Sequence, residues 1–342
     1  MLFTPGEFAA MKILVTGAAG YIGSHTCRLL TEMGCQVVGY DNLSRGHQIA
    51  FERATGGGTF VQGDLLDTKL LQKTLKEESV EAVVHFAAFA LVGESVEYPQ
   101  RYHRNNVEGS SSLLRAMHEA GVQRLVVSST TAIYGQPEKM PICEDTPPAP
   151  INPYGQSKLD VEHLLQRACE RDGLGFVALR YFNAAGAAPD GMLGEDHDPE
   201  THLIPIVFQV ALGQRQKIHI FGDDYSTPDG TCVRDYVHVN DLADAHLKAL
   251  NILKPGQRIQ LNLGSGVGTS VLEIIEQARQ VTGHDIPAEI AARRSGDPPR
   301  LIADNSLAKK TLGWTPGYSS LDSILTSAWR WHQRHPQGYE TT

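Results

Sequence analysis

The stretch Lys12-Ile-Leu-Val-Thr-Gly17-Ala-Ala-Gly20-Tyr-Ile-Gly23-Ser-His-Thr26 decides the fold. Ile13, Leu14 and Val15 form a short unbroken apolar run, the pattern of a strand buried on both faces. Gly17, Gly20 and Gly23 follow at even spacing, and an apolar helical pattern then runs through Ile22, Leu29 and Leu30 to Gly34. Strand, glycine turn and helix in this order are the context in which a glycine motif holds a dinucleotide. The first glycine permits the tight turn, the second lets backbone approach a pyrophosphate, and the third lets helix pack on strand. Unpaired N–H groups and the positive end of the helix then face the phosphates. The next apolar run, Gln36-Val-Val-Gly-Tyr40, ends at Asp41. That is near the ~20-residue offset of the carboxylate that accepts from the ribose hydroxyls. Its charge repels a 2′-phosphate and so favours NAD over NADP.

Strands and helices go on alternating outward from this stretch. Thr59-Phe-Val-Gln62 reads as a strand followed by Gly63-Asp64-Leu65, and a helix over residues 67–77 opens on the acidic cap Asp67. Ala82-Val-Val-His-Phe86 reads as the fourth strand, ending in the small residues Ala87 and Ala88. One helix from Pro99 to Gly121 follows, then the strand Arg124-Leu-Val-Val-Ser-Ser129 with hydroxyls at its carboxyl end. After a proline-rich acidic loop over 136–153 come a helix from Tyr154 to Arg171 and a sixth strand, Gly175-Phe-Val-Ala-Leu-Arg180. Such alternation predicts an α/β fold: a doubly wound parallel sheet with helices on both faces and ligands beyond the carboxyl ends of its strands. Asp41, Asp64, Ser128, Ser129 and Thr130 all fall at those ends.

The rhythm breaks after residue 184. Residues 184–235 are rich in Gly, Pro and Asp, with one helical stretch at Leu203 to Leu212. Tyr236-Val-His-Val239, a helix from Asn240 to Leu253 and Ile259-Gln-Leu-Asn-Leu263 read as a return to the nucleotide domain. The expected division is a nucleotide-binding domain of 11–184 plus about 236–265, and a smaller, discontinuous C-terminal substrate domain of about 185–235 plus 266–342. Ligands favour the cleft between two such domains.

Tyr154-Gly-Gln-Ser-Lys158 carries the sharpest chemical signal. Residues four apart on a helix share a face. A free tyrosine has a pKa of about 10 and is a poor base at neutral pH. A neighbouring ammonium and a bound cationic nicotinamide both favour phenolate, which makes a base matched to an alcohol whose carbon gives up hydride. Thr130, at the end of the fifth strand, is placed to align the substrate hydroxyl with Tyr154.

Composition excludes other classes. The 342 residues suffice for a substantial core, and 41% hydrophobic with 20% charged residues is ordinary for a soluble globular protein. A formal charge of −9 speaks against nucleic acid and against a polybasic membrane anchor. No apolar run approaches the ~20 residues that span a bilayer. Residues 1–10, MLFTPGEFAA, do not read as a signal peptide, and Met11 reads as a natural start. Five cysteines without a C-x-x-C pair suit a reducing, cytoplasmic compartment. The fourteen histidines show no H-E-x-x-H and no cluster at metal-ligand spacing, so no metal is expected.

With Gly17-Ala-Ala-Gly20-Tyr-Ile-Gly23 and the Thr130, Tyr154, Lys158 set on the page, the chain resembles the extended short-chain dehydrogenase/reductases, whose nucleotide domain is the Rossmann fold. Within them it is similar to the UDP-hexose 4-epimerases in Gly20-Tyr-Ile-Gly-Ser-His-Thr-Cys27, Tyr40-Asp-Asn-Leu-Ser44, Val92-Gly-Glu-Ser-Val96 and Arg180-Tyr-Phe-Asn183. The likeness continues in Ile220-Phe-Gly-Asp-Asp-Tyr225, Asp229-Gly-Thr-Cys-Val-Arg-Asp-Tyr236 and Arg293-Arg-Ser-Gly-Asp297. The resemblance implies an NAD-dependent isomerase of carbohydrate and galactose metabolism. It would interconvert UDP-glucose and UDP-galactose through a 4-keto intermediate, with UDP-N-acetylhexosamines as further substrates. It also implies a homodimer through helices at roughly 100–120 and 154–171.

The same resemblance assigns residues. Gly17, Gly20, Tyr21, Ile22, Gly23, Asp41, Asn42, Ser44, Asp64 and Leu65 would contact NAD, as would Phe86, Ala87, Ala88, Asn105, Lys158 and Phe182. Thr130, Tyr154, Asn183, His202, Leu203, His219, Phe221, Arg234, Arg294, Asp297 and Leu301 would contact the UDP-sugar. Two arginines suit a diphosphate through forked hydrogen bonds, and Phe221 can lie against uracil. Each has a plainer reading: Arg234 as an interdomain ion pair, Phe221 and Leu301 as core. Two positions depart from the family: Ala90 stands where members often carry lysine, and His202 where some carry asparagine. Leu301 borders the space beside the sugar's C2, where a leucine smaller than tyrosine leaves room for an N-acetyl group.

Rival activities weaken on the residues. The 4,6-dehydratases and the decarboxylase of this fold need an acidic residue after the strand-five hydroxyl, and Ser129-Thr-Thr-Ala-Ile-Tyr-Gly135 has none. A nucleotide-sensing regulator would not need the Tyr/Lys pair. The residues leave open a 4-epimerase of UDP-uronic acids or UDP-pentoses.

Overall fold

Alternate side chains of the first strand enter different cores, which is why its apolar run is unbroken. Ile13 and Val15 belong to one fully buried cluster and Leu14 to another, and Val84 against Val83 and Val177 against Phe176 divide in the same way. The computed structural model describes residues 11–294 and 296–339, so the readings of residues 1–10 and of the last three residues lie outside the described residues.

The strands are β1 (Lys12–Thr16), β2 (Gln36–Asp41), β3 (Thr59–Gln62), β4 (Ala82–His85), β5 (Arg124–Thr130), β6 (Gly175–Tyr181) and β7 (Asn183–Ala185). After them come β8 (Ile218–Phe221), β9 (Val233–His238), β10 (Arg258–Leu263), β11 (Gly268–Ser270), β12 (Ala288–Ala291) and β13 (Arg300–Leu301). The helices are α1 (Tyr21–Glu32), α2 (Gln48–Thr55), α3 (Thr68–Glu77), α4 (Val92–Glu97), α5 (Pro99–Tyr102) and α6 (Gly109–Ala120). Beyond these lie α7 (Pro153–Asp172), α8 (Leu203–Ala211), α9 (Val239–Ile252), α10 (Val271–Thr282), α11 (Ser306–Leu312) and α12 (Leu321–Arg334).

Seven strands make one all-parallel sheet in the order β10-β6-β5-β4-β1-β2-β3. Helices α1, α2 and α9 pack on one another over one core, and α3, α6 and α7 over the other. The chain reverses its direction of strand addition at β1, so the crevice opens beyond the carboxyl ends of β1 and β4. The doubly wound architecture is therefore as the alternation predicts, and Asp67 caps α3 by accepting from the Leu70 N–H.

Two elements differ from the sequence reading. The helix expected from Pro99 to Gly121 carries a π-helical turn, His103–Glu108, between α5 and α6. The wider turn brings Asn105 to the ligand cavity and Asn106 into the core. Helix α9 and β10 do rejoin the large sheet, but Tyr236-Val-His lies in β9 of a smaller one. There β9 pairs with β7, β11 and β13. An apolar stretch alone does not specify which sheet edge it joins.

Candidate active site

The glycine turn is closed by sterics as much as by sequence. Gly17 has φ +70°, and a Cβ there would lie 2.6 Å from the Ala87 nitrogen. A Cβ on Gly23 would lie 2.0 Å from the Gly17 carbonyl oxygen. Any side chain at either position would push the turn off β4 or the helix off the turn. Gly20 is the N-cap of α1 and supplies no side-chain cap, so the first amide N–H groups of α1 point at the cavity unblocked. This cradle fits a dinucleotide pyrophosphate.

Nineteen of the residues assigned from the sequence line one cavity above β1, β4 and β5. On the cofactor side these are Gly17, Gly20, Tyr21, Ile22, Gly23, Asp41, Asn42, Ser44, Leu65, Phe86, Ala87, Ala88, Asn105 and Phe182, together with Lys158. Thr130, Tyr154, Asn183 and His202 complete the set, and Ala90 also lines the wall. Asp64 does not. Its carboxylate accepts from Asn42 Nδ2 and from the Leu66 N–H, each at 2.9 Å, and so it positions Asn42 instead. Asp41 accepts from the Ala19 N–H at 3.1 Å and from the Leu43 N–H at 2.8 Å. Burial raises its pKa and these amide contacts offset part of the rise. The same carboxylate thus braces the glycine turn and faces the cavity.

Helix α7 carries Tyr154 and Lys158. Asn152 caps it by accepting from the Gly155 N–H at 2.8 Å, and Pro153 opens it with a preset φ. Tyr154 then stands beside Thr130 at the end of β5, with Lys158 one turn further along. Lys158 Nζ donates to the Ser128 carbonyl at 2.8 Å and approaches Ser128 Oγ at 3.4 Å. Burial lowers Lys158 to about 8 against the pull of Glu162. Tyr154 runs opposite to the sequence expectation. Burial raises its pKa and the Thr130 hydroxyl lowers it, because in the protein alone desolvation outweighs the polar contacts.

The remaining sugar-nucleotide candidates do not line this cavity. They form a second group around β8, β9 and β13. Arg234 Nη2 pairs with Asp297 Oδ1, and the Arg294 guanidinium lies over the Phe221 ring at 4.0 Å. The His219 ring is 6.5 Å from that of Phe221, and Leu301 sits opposite Arg234 in the β13–β9 register. Leu301 also packs against a cluster that includes Phe182, which links the group to the cofactor wall. Leu203 begins α8, directly after His202.

Sequence reasoning missed three features. Ser128 anchors Lys158. Asn106, on the π-helical turn, accepts from the Phe89 N–H at 2.8 Å and donates to the Phe89 carbonyl and to Ser157 Oγ, fixing the 89–90 wall against α7. The reading that no histidines cluster is also revised: Glu195, His197, Glu200 and His202 bring one ligand atom each to within 4.8 Å of one another. Their spacing follows no familiar metal motif, and only the folding of the β7–α8 connector gathers them. Burial alone would lower His202, but the Glu195 carboxylate 2.5 Å away raises it to about 9.

Comparison with known proteins places this geometry. The NAD dependent epimerase/dehydratase family model matches residues 13–264. The UDP-glucose 4-epimerase of Halalkalibacterium halodurans is 55% identical over 332 residues, covering 97% of this chain and 98% of that protein. The crystal structure of UDP-glucose 4-epimerase from Bifidobacterium longum in complex with NAD⁺ and UDP is 39% identical, with TM-score 0.92, covering 96% of this chain and all of that one. The UDP-Glc/GlcNAc 4-epimerase from Campylobacter jejuni is 42% identical, with TM-score 0.84 and coverages of 95% and 100%.

Proposed function

The chain belongs to the NAD dependent epimerase/dehydratase family, and from that premise we propose that it is an NAD-dependent 4-epimerase interconverting UDP-glucose and UDP-galactose through a 4-keto sugar. The observation that carries this reading is the convergence of Thr130, Tyr154 and Lys158 on the cavity built by the glycine turn.

NAD along this cavity supplies the acceptor and later the donor of the C4 hydride. Tyr154 Oη takes the proton of the 4-hydroxyl as a phenolate and returns it after the keto sugar has turned over. Thr130 aligns that hydroxyl. Because burial disfavours the phenolate, a cation is needed close by. Lys158 serves, since at about 8 it stays charged at neutral pH. Arg234 and Arg294 hold the diphosphate, Asp297 orients Arg234, and Phe221 takes the uracil. This clamp retains the intermediate while the sugar rotates.

The nucleotide-binding part is 11–184 with about 239–265, Tyr236-Val-His belonging to β9 of the smaller sheet, and 185–238 with 266–339 receive the UDP-sugar. Helices α6 and α7, adjacent on one face of the sheet, pair with a second copy, and light scattering of the purified protein tests this. No helix among the described residues is long and apolar enough to cross a membrane. The free cysteines support a cytoplasmic site of action.

Incubation of purified protein with UDP-galactose, without added NAD, tests the activity. UDP-glucose is the expected product. Failure to form it in the presence of excess NAD as well overturns the reading, and parallel runs with UDP-glucuronate and UDP-pentoses test the alternative substrates.

Asp41 is expected to make the protein select NAD. Asp41→Asn, which keeps an acceptor for one of the two amides, should tighten NADP binding by about tenfold or more, or ~1.4 kcal/mol. Titration of the apo-protein with each dinucleotide measures this. Equal affinities in the wild type would remove Asp41 from the ribose.

Leu301 sets the breadth at C2. The UDP-Glc/GlcNAc relative supports turnover of UDP-N-acetylglucosamine here too. Leu301→Tyr should depress that activity selectively and leave UDP-glucose turnover largely intact. Parallel loss of both activities would return Leu301 to a packing role.

A further inference from the structure

The connector between β7 and α8 supplies part of the cavity wall and carries the sequence Glu195-Asp-His197-Asp-Pro-Glu200-Thr-His202. We propose that Glu195, His197, Glu200 and His202 hold one divalent transition-metal ion of the zinc class, which staples this connector in place.

Four distances define the group. Glu195 Oε1 stands 2.5 Å from His202 Nδ1 and 3.2 Å from His197 Nδ1. Glu200 Oε2 stands 3.8 Å from His197 Nδ1, and Glu200 Oε1 stands 3.5 Å from His202 Nδ1. A tetrahedral zinc with bonds of about 2.0–2.1 Å keeps its ligand atoms about 3.3 Å apart. Three of these contacts lie within about 0.5 Å of that edge; one atom from each of the four residues can be chosen with no separation above 4.8 Å, and an ion would draw the wider pairs in.

A second observation points to a ligand. His197 Nδ1 is closed off from solvent and finds no hydrogen-bond partner of good geometry, its nearest carboxylate oxygen being Glu195 Oε1 at 3.2 Å. An orphaned ring nitrogen is costly unless something else binds it. The charges agree. The ion would replace the proton that Glu195 holds on His202, and a dication with two neutral imidazoles then cancels the charge of the two carboxylates. Two nitrogen and two oxygen donors favour zinc or a neighbouring first-row ion over calcium or magnesium, which take oxygen.

The site faces the cofactor end of the cavity. Glu195, His197 and His202 line it, and the His197 ring meets the Tyr21 ring edge-on at 6.4 Å. Tyr21, the first residue of α1, also donates from Oη to the Gly186 carbonyl at 2.6 Å, at the start of the same connector. The ion would therefore fix the far end of a loop whose near end is tied to the nucleotide helix. The proposal stands independently of the epimerase reading, and its test reads metal directly.

Full-length protein is loaded with one equivalent of zinc, desalted and analysed for metal, and cobalt is added to a second sample to record its visible spectrum. The expected result is about one zinc per chain and the intense ligand-field bands of tetrahedral cobalt. The double variant His197→Ala/Glu200→Gln should bind zinc more weakly by well over the ~10–100-fold that loss of an outer-shell partner costs. The wild-type melting temperature should rise with zinc, because an ion that binds only the folded state stabilises it. Wild type that retains no zinc overturns the proposal whatever the variant does. So does equal zinc binding by a folded variant, which would place the ion elsewhere.

Discussion

Tyr154→Phe is expected to lower the rate of UDP-galactose epimerisation by about 10²–10⁴-fold, the range spanned by loss of a positioned acid–base group. The substitution removes one oxygen and little shape, so the cavity wall, α7 and its Asn152 cap are retained. Bound NAD should stay at the wild-type level, measured by absorbance after the protein is denatured. This separates proton transfer from cofactor binding. Burial raises the pKa of Tyr154 and lowers Lys158 to about 8, so wild-type activity should fall as Lys158 loses its proton above that value. A Tyr154→Phe variant that turns over at the wild-type rate would remove the phenol from the mechanism.

Glu162→Ala is expected to cost about 3–5 kcal/mol of stability, because it strands a buried guanidinium. Arg180 and Glu162 are 5% and 1% exposed. They form a two-pronged pair, Nε to Oε1 at 3.0 Å and Nη2 to Oε2 at 2.6 Å. Ser129 Oγ donates to the same carboxylate at 2.6 Å, and Arg180 Nη1 donates to Tyr134 Oη, which in turn donates to Asn262. This network joins β5, β6, β10 and α7 directly behind Thr130, Tyr154 and Lys158. Urea unfolding of Glu162→Ala, of Arg180→Ala and of Glu162→Leu/Arg180→Met measures it. The paired apolar replacement should recover most of the loss, since removing both charges removes the unmet desolvation. A single variant within about 0.5 kcal/mol of wild type would show that the pair contributes little.

What was legible in the sequence follows from what is local. The glycine turn, the strand runs and the cap Asp67 act over a few residues, so periodicity and residue type reveal them. The Tyr154/Lys158 pair is equally local, being one helical turn. The joining of β9 to β7, β11 and β13 is not, because four short segments meet only after the chain has crossed between sheets. The separation of the cavity from the Arg234–Asp297 group is likewise a property of the assembled fold. Arg180 appeared in the sequence only as the end of the sixth strand and as part of a family string. Its buried partner is eighteen residues earlier on another element, with no spacing rule to join them. The Glu195–His202 group escaped for a related reason, since its donors alternate with other residues along an irregular loop.

The π-helical turn at His103–Glu108 has a further consequence, in the phase of the rod that contains it. An α-helix turns about 100° per residue, so the orientation of its far end is fixed by its length alone. One wide turn breaks that lock. Upstream, Tyr102 is aimed at the Leu91 backbone. Downstream, Leu113, Ala116 and Met117 are aimed at the sheet. The two halves answer to different surfaces, and the π turn is the gear between them. Restoring uniform α-helix there would keep one half meshed and rotate the other out of contact.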